Sequence, residues 1–259
     1  SRGLGAGAMR RRNVAAARGA ARGVWLAILL EAASQMALCA DDVFTISAVD
    51  LPFFDELSAL GLTKHTRVFG VPIFAHREIE NGFIRHVAHV LAAYLDNDQD
   101  GCADDPRVLT HGLHQGELRS NDDEGRHRVC GIVILPDIEM AQDARRRAGR
   151  RGLYADMEEI FIEDVKPECS GVHGNRSCFD ATLEEVLHLV TANGLAKAYP
   201  NVWGERAGTR VANLMDNARG GRFERTPATY PPNAIFCYND KTCDYACHVS
   251  EFVYWVATT

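Results

Sequence analysis

The sequence lacks the signatures that name a chemistry outright. It has no Gly-x-Ser-x-Gly elbow, no phosphate-binding lysine loop and no dinucleotide fingerprint, which removes the common routes to an acyl hydrolase, an NTPase or a nicotinamide enzyme. Its eight cysteines contain no Cys-x-x-Cys pair, which argues against a four-cysteine zinc site. Basic charge is scarce: 28 Lys and Arg face 35 Asp and Glu, a net of −7, which argues against a general nucleic-acid binder. The 22 Gly and 9 Pro follow no period, so collagen-like order is out, and no internal repeat or Pro/Ser-rich linker divides the chain. With 46% hydrophobic residues the composition is that of a folded protein, and 259 residues suffice for one large core.

Charge is unevenly placed. Residues 1–39 hold six arginines (Arg2, Arg10, Arg11, Arg12, Arg18 and Arg22) against one acid, Glu31, so the remainder is more acidic than the average and suits cations. Met9 and Arg10-Arg11-Arg12 precede a short apolar run, Val24 to Leu30, and then Met36-Ala37-Leu38-Cys39-Ala40. A basic region, a short apolar region and small residues make residues 1–40 an expected secretory signal peptide, with an amphipathic transit peptide or an uncleaved anchor as the alternatives. No other segment approaches membrane-span length. Residues 41–259 then read as a single secreted α+β domain, mostly helical with a small sheet and disulfide-stapled loops. Seven cysteines remain, Cys102, Cys130, Cys169, Cys178, Cys237, Cys243 and Cys247, in keeping with an oxidising compartment. Cys169 and Cys178 flank a polar loop that a disulfide can close, and Asn175-Arg176-Ser177 within it is a glycosylation sequon, making a glycoprotein.

Along the chain, Val68 to Phe74 reads as a strand broken at Pro72. Ile79, Phe83, Val87, Val90, Leu91 and Tyr94 form a helical stripe, and Val129 to Leu135 reads as a buried strand ended by Pro136. Residues 138–151 look helical and basic, and residues 158–165 fit a strand or a short helix. Helices are expected over 182–192, 210–218 and 248–258, and residues 116–127 as a polar loop.

Between the striped helix and the next strand lies Asp96-Asn97-Asp98-Gln99-Asp100-Gly101. Oxygen ligands at alternating positions before a glycine turn suit Ca²⁺, with Asp96, Asp98 and Asp100 at positions 1, 3 and 5, the backbone carbonyl of Cys102 at 7 and Asp104 at 9. The stretch resembles the calcium loops of EF-hand and dockerin-like proteins over residues 96–107. It departs from them at position 12, where Arg107 replaces the bidentate Glu, and Asp105 is the expected substitute.

The stretch Asp180-Ala181-Thr182-Leu183-Glu184-Glu185-Val186-Leu187-His188 carries the sharper chemistry. Glu184 and His188 are four residues apart on one helix face, a spacing that can chelate a metal, and Glu185 sits where a general base for a metal-activated water lies. The pattern resembles the His-Glu-x-x-His helix of zincin metallopeptidases, with Glu184 in the first His position. The resemblance implies a zinc or other divalent ion held by Glu184 and His188, Glu185 as base, and hydrolysis of a peptide or protein substrate. It also implies a third ligand from a downstream helix, as in gluzincins. Glu251, a lone acid in an apolar helix, is the candidate, with His248 second. The competing reading is structural: Thr182-x-x-Glu185 as a capping box, or Asp180 as the cap, and Glu184 with His188 as an ordinary pair. On that reading the protein is a non-catalytic extracellular calcium-binding or interaction module.

Other groups are weaker. His86 and His89 lie three apart on the striped helix and are read as flanking the core; His111 and His114 are read as surface residues. Arg219 either orients a substrate carboxylate or caps a helix dipole, and Tyr230 and Tyr238 are candidate oxyanion donors.

Overall fold

The computed structural model describes residues 45–48, 54–113, 129–148, 157–169 and 179–258. All belong to one unit, Ala40–Thr259. The signal-peptide, sequon and 116–127 loop expectations lie outside these residues. The fold is α+β: seven helices surround a sheet in strand order β1-β2-β3-β4-β5 among the described residues. β1 (Ser47–Ala48), β2 (Leu62–Val68) and β3 (Val71–His76) are antiparallel neighbours, whereas β4 (Gly131–Leu135) and β5 (Met157–Phe161) extend the sheet in parallel.

The expected strand from Val68 to Phe74 is instead the tip of a hairpin. Val68 pairs with Val71 across a two-residue turn in which Phe69 (φ 48°) and Gly70 (φ 84°) both take positive φ. That conformation matches the twist of the flanking strands, so the chain reverses before Pro72 rather than breaking at it. Pro72 is tolerated inside β3 because the parallel ladder to β4 begins one residue later, at Ile73↔Ile132. Gly131 meets it from the far side: a Cβ there would lie 2.4 Å from the Pro72 carbonyl oxygen.

Strand alternation sorts the side chains onto two faces. Phe74, Val133, Leu135 and Met157 pack with Leu57 of α1 (Phe54–Ala59) and with Ala141 and Ala144 of α3 (Ile138–Ala148). Ile73, Ile132, Ile134 and Ile160 have the opposite parity. α2 (Asn81–Leu95) buries Ile84, Val87, Ala88, Leu91 and Leu95, so its buried face is the expected stripe turned by about one residue. It packs against β2, β3 and α4 (Ala181–His188), and α4 packs against β5. The residues of β5 show the division. Glu159 pairs with Arg145 of α3 (Nε to Oε1, 2.6 Å), and Glu158, one residue earlier, meets α4. The region expected as either strand or helix is both in turn, β5 followed by a 3₁₀ turn at Ile162–Asp164.

α4 is fixed at its start by Asp180, not by the Thr182 capping box. The Asp180 carboxylate accepts from the amides of Thr182 and Lys166, both at 3.1 Å, and bonds His86 Nε2 at 2.7 Å. The Thr182 hydroxyl is buried without a hydrogen bond, and Glu185 is freed from capping. The Tyr94 hydroxyl donates to the Leu183 carbonyl at 3.0 Å and ties α2 to the same turn. Past His188 the helix widens into π geometry over Leu189–Leu195, the form α-helices often take at functional sites, and closes with α5 (Ala196–Ala198). This segment packs on a second π turn, Val108–Leu113. A Cβ on Gly112 would fall 2.6 Å from Gly194 Cα, so two glycines permit the approach.

α6 (Arg210–Ala218) is capped by Thr209, whose hydroxyl accepts from the Ala212 amide at 3.4 Å. α7 (Tyr245–Thr258) buries Tyr245 and Val249 against Val211, Ala212 and Met215 of α6, and touches α4. A Cys243–Cys247 disulfide clamps the chain entering α7. Cys102 and Cys169 are also disulfide-bonded, and Cys178, the partner expected for Cys169, lies outside the described residues. No described helix is long and apolar enough to cross a membrane.

Candidate metal centre

Two helices and one strand deliver acids to a single imidazole. Glu184 and His188 share a face of α4 because they are four residues apart. Glu251 arrives from α7, where it is only 7% exposed among apolar neighbours. One ligand atom from each of Glu184, His188 and Glu251 lies within 4.8 Å of the others. Glu185 is also there, three residues before His188, with its Oε2 3.5 Å from His188 Nδ1. Glu158 of β5 joins Glu185 and His188 in a second group of the same dimensions.

Crowded acids in a partly dry site hold their protons. Burial, then the charges of Glu185 and neighbours, push Glu158 up to about 8, with His188 pulling the other way. Burial and the facing Glu251 carboxylate raise Glu184 to about 7. Glu251 is raised as well, chiefly by burial. For His188, burial works downward, but Glu185, Glu251 and Glu158 outweigh it and lift the imidazole to about 9. The tyrosines at the rim are shifted in the same sense: burial, then Glu251, raises Tyr238, and burial, then Glu184, holds Tyr254 up at about 12.

Two atoms in this centre stand out. Glu251 Oε2 and His188 Nε2 are both buried and have no hydrogen-bond partner. A polar atom buried without a partner costs about 1–3 kcal/mol, more on a charged group, so two in one triad need a common explanation. Carboxylate oxygen and imidazole nitrogen are the usual ligands of a divalent cation, so these residues could hold one.

Several other expectations resolve into structural roles. His248 is taken up on both ring nitrogens, Nδ1 at 2.6 Å from the Asp244 carbonyl and Nε2 at 3.1 Å from the Thr226 hydroxyl, so it is no ligand. Arg219 is fully buried, donates to the Phe223 carbonyl at 3.0 Å and lies 5.2 Å from the Phe223 ring centroid, so it is closed off from a substrate carboxylate arriving from solvent. The Tyr230 hydroxyl donates to the Tyr238 carbonyl at 2.6 Å. His89 Nδ1 bonds the Arg85 carbonyl, and His111 meets Thr110; His114 lies outside the described residues.

Sequence reasoning missed Glu158 and Glu205. The Ser250 hydroxyl donates to Glu205, whose pKa burial raises. A signal for Glu158 existed: in Met157-Glu158-Glu159-Ile160-Phe161, strand alternation must send one of two adjacent acids to each face of a covered sheet.

The acidic loop folds around its own carboxylates. Ligand atoms of Asp96, Asp98 and Asp104 lie within 4.8 Å of each other. The loop turns through positive φ at Gln99 (59°) and Gly101 (87°), while Asp96 accepts from the amides of Asp100 and Gly101. Asp100 stands outside the converging trio, and its carboxylate accepts from the Cys102 amide at 2.8 Å. Asp105 does not replace the missing position-12 acid, because it turns to the Tyr199 hydroxyl at 2.5 Å. Among known proteins, no family model, no curated sequence and no solved structure matches this chain.

Proposed function

We propose that this protein is a metal-dependent hydrolase acting on peptide or amide bonds, with a divalent ion, zinc by first expectation, held by Glu184, His188 and Glu251. The observation that carries the reading is the pair of orphaned buried atoms, Glu251 Oε2 and His188 Nε2, in a group that also contains Glu184. A divalent ion at such a place supplies Lewis acidity, polarising a carbonyl and making water acidic near neutral pH. Glu185, with 31% of its side chain exposed and its carboxylate on the Nδ1 side of the ring, is the assigned base and would take the proton of the attacking water through one relaying water. Tyr238, whose hydroxyl feels Glu251 and Glu184, is the assigned donor to the developing oxyanion.

A second reading has its own support. The convergence of Asp96, Asp98 and Asp104 favours calcium in the loop at residues 96–107, where it fixes the turn between α2 and the first π segment. Taken alone, that describes a calcium-binding interaction module. The disulfide at Cys243–Cys247 and the bonded Cys102 and Cys169 favour export to an oxidising compartment under either reading.

Metal analysis of the protein purified without chelators separates the two. The hydrolase reading expects zinc that is lost in Glu184→Ala and His188→Ala, and a Glu185→Gln variant that keeps the ion while casein cleavage falls about 100-fold or more. Calcium without zinc, abolished by Asp98→Asn, leaves only the module.

A further inference from the structure

The helix that supplies Glu251 also walls an apolar pocket. On α7, Phe252, Trp255 and Val256 follow Glu251 on one arc of the helix and close one side of a cavity of about 390 Å³. The segment from Ile235 to Tyr238 forms another side. That segment is pinned: the amides of Ile235 and Phe236 donate to the Ala218 carbonyl at 2.8 and 3.1 Å. The Tyr230 hydroxyl donates to the Tyr238 carbonyl at 2.6 Å and accepts from its amide at 3.3 Å. The Phe236 ring meets Phe252 edge-on, with centroids 5.4 Å apart. The pocket is therefore preformed, and none of its lining residues is charged. Ile235, Trp255 and Val256 are large apolar side chains left in water, and they gather around it. Tyr238 joins the pocket to the metal centre, because this one side chain lines the pocket and feels Glu251 and Glu184.

We propose that this pocket is the specificity subsite of the hydrolase, and that it takes one large apolar side chain, aromatic or leucine-sized, from a residue flanking the scissile amide. The inference rests on the hydrolase reading and adds a substrate class to it. Its volume is at the small end of the roughly 300–1,000 Å³ of ligand pockets, which suits one side chain and not a folded segment. Eight residues line it, too few for a second copy of this chain, since a stable interface uses roughly 20–30 a side. The carboxylates around His188 repel an acidic residue at the same place, so neutral bulk is preferred.

The test uses the full chain loaded with zinc and internally quenched peptides of Gly and Ala that carry a single Phe, Leu, Asp or Lys, or none of these. Cleavage is expected beside Phe or Leu, located by mass spectrometry, with kcat/KM about 10–100-fold above the Gly/Ala peptide. Ile235→Asp changes a residue that is 89% exposed and puts a charge at the pocket. It is expected to abolish that selectivity and to raise the Lys peptide relative to Phe. The exposed Cys237 thiol in the lining gives a reading without turnover. In EDTA, the Phe peptide is expected to slow its reaction with Ellman's reagent, and the Gly/Ala peptide to leave it unchanged. Cleavage that ignores side-chain size, selectivity unaltered in Ile235→Asp, or a thiol left unprotected by the Phe peptide each overturns the subsite and leaves the hydrolase standing. A dimer in sedimentation that Ile235→Asp dissociates also overturns it, with a second copy as the occupant. No cleavage of any peptide overturns the hydrolase reading, and the subsite falls with it.

Discussion

Removing the charge of Glu158 should stabilise the metal-free protein at pH 8 and leave it unchanged near pH 5. The sign follows from linkage. A carboxyl whose folded pKa is raised contributes its full stability below its unfolded value, here 4.5, and loses it as pH climbs through the folded value, about 8. Taken at face value that rise corresponds to about 5 kcal/mol. Water reaching the part-exposed Glu185 screens the repulsion, so about 2 kcal/mol is the reasonable size of the effect. His188 moves with it: raised to about 9, it loses its contribution only as pH passes that value. His76 and His248, both lowered by burial, act oppositely and gain stability as pH rises through the unfolded histidine range. Comparing wild type with Glu158→Gln cancels those histidines. Thermal melts in EDTA from pH 5 to 8 should show the variant gaining about 4–8 °C relative to wild type over that range. Curves that stay parallel, or a variant that loses ground toward pH 8, would refute the crowded-carboxylate account of the centre.

Two further outcomes test the scaffold that presents the site. Asp180→Ala removes the cap of α4, the bond to His86 and the bond to the Lys166 amide together, so urea unfolding should report a loss of about 2–4 kcal/mol. Asp180→Asn should recover a good part of it. Gly194→Ala forces a Cβ to 2.7 Å from a Val108 methyl where the two π segments meet, and should cost about 1–3 kcal/mol by the same assay.

What the sequence reveals here depends on how locally each feature is encoded. The helices over 181–188, 210–218 and 245–258 and the strand over 131–135 are set by side chains a few residues apart, and their patterns are readable from one stretch of chain. The hairpin at Phe69–Gly70 is not. Its turn places a bulky aromatic at positive φ, which turn chemistry would assign to Asn or Asp, so the apolar run from Val68 to Phe74 conceals the reversal. The choice between the two caps of α4 stays open in the sequence for a related reason. Thr182 and Glu185 have the right spacing for a capping box, but Asp180 takes the amide because His86 and Lys166 hold it in place from other elements.

The centre divides along the same line. Glu184, Glu185 and His188 sit within five residues, so helix geometry alone puts them together. Glu251 was legible for an energetic reason: an acid in an apolar helix must find a partner, wherever that partner is in the sequence. Glu158 offered neither cue, because its neighbours in the chain say nothing about which face of β5 is covered by α4. Only the parallel register, Ile132↔Glu158 beside Ile134↔Ile160, fixes it on the side of the imidazole. A single site could be read from one helix and one misplaced acid. The arrival of Glu158 beside His188 is a property of the sheet, whose strands are gathered from residues 47–161.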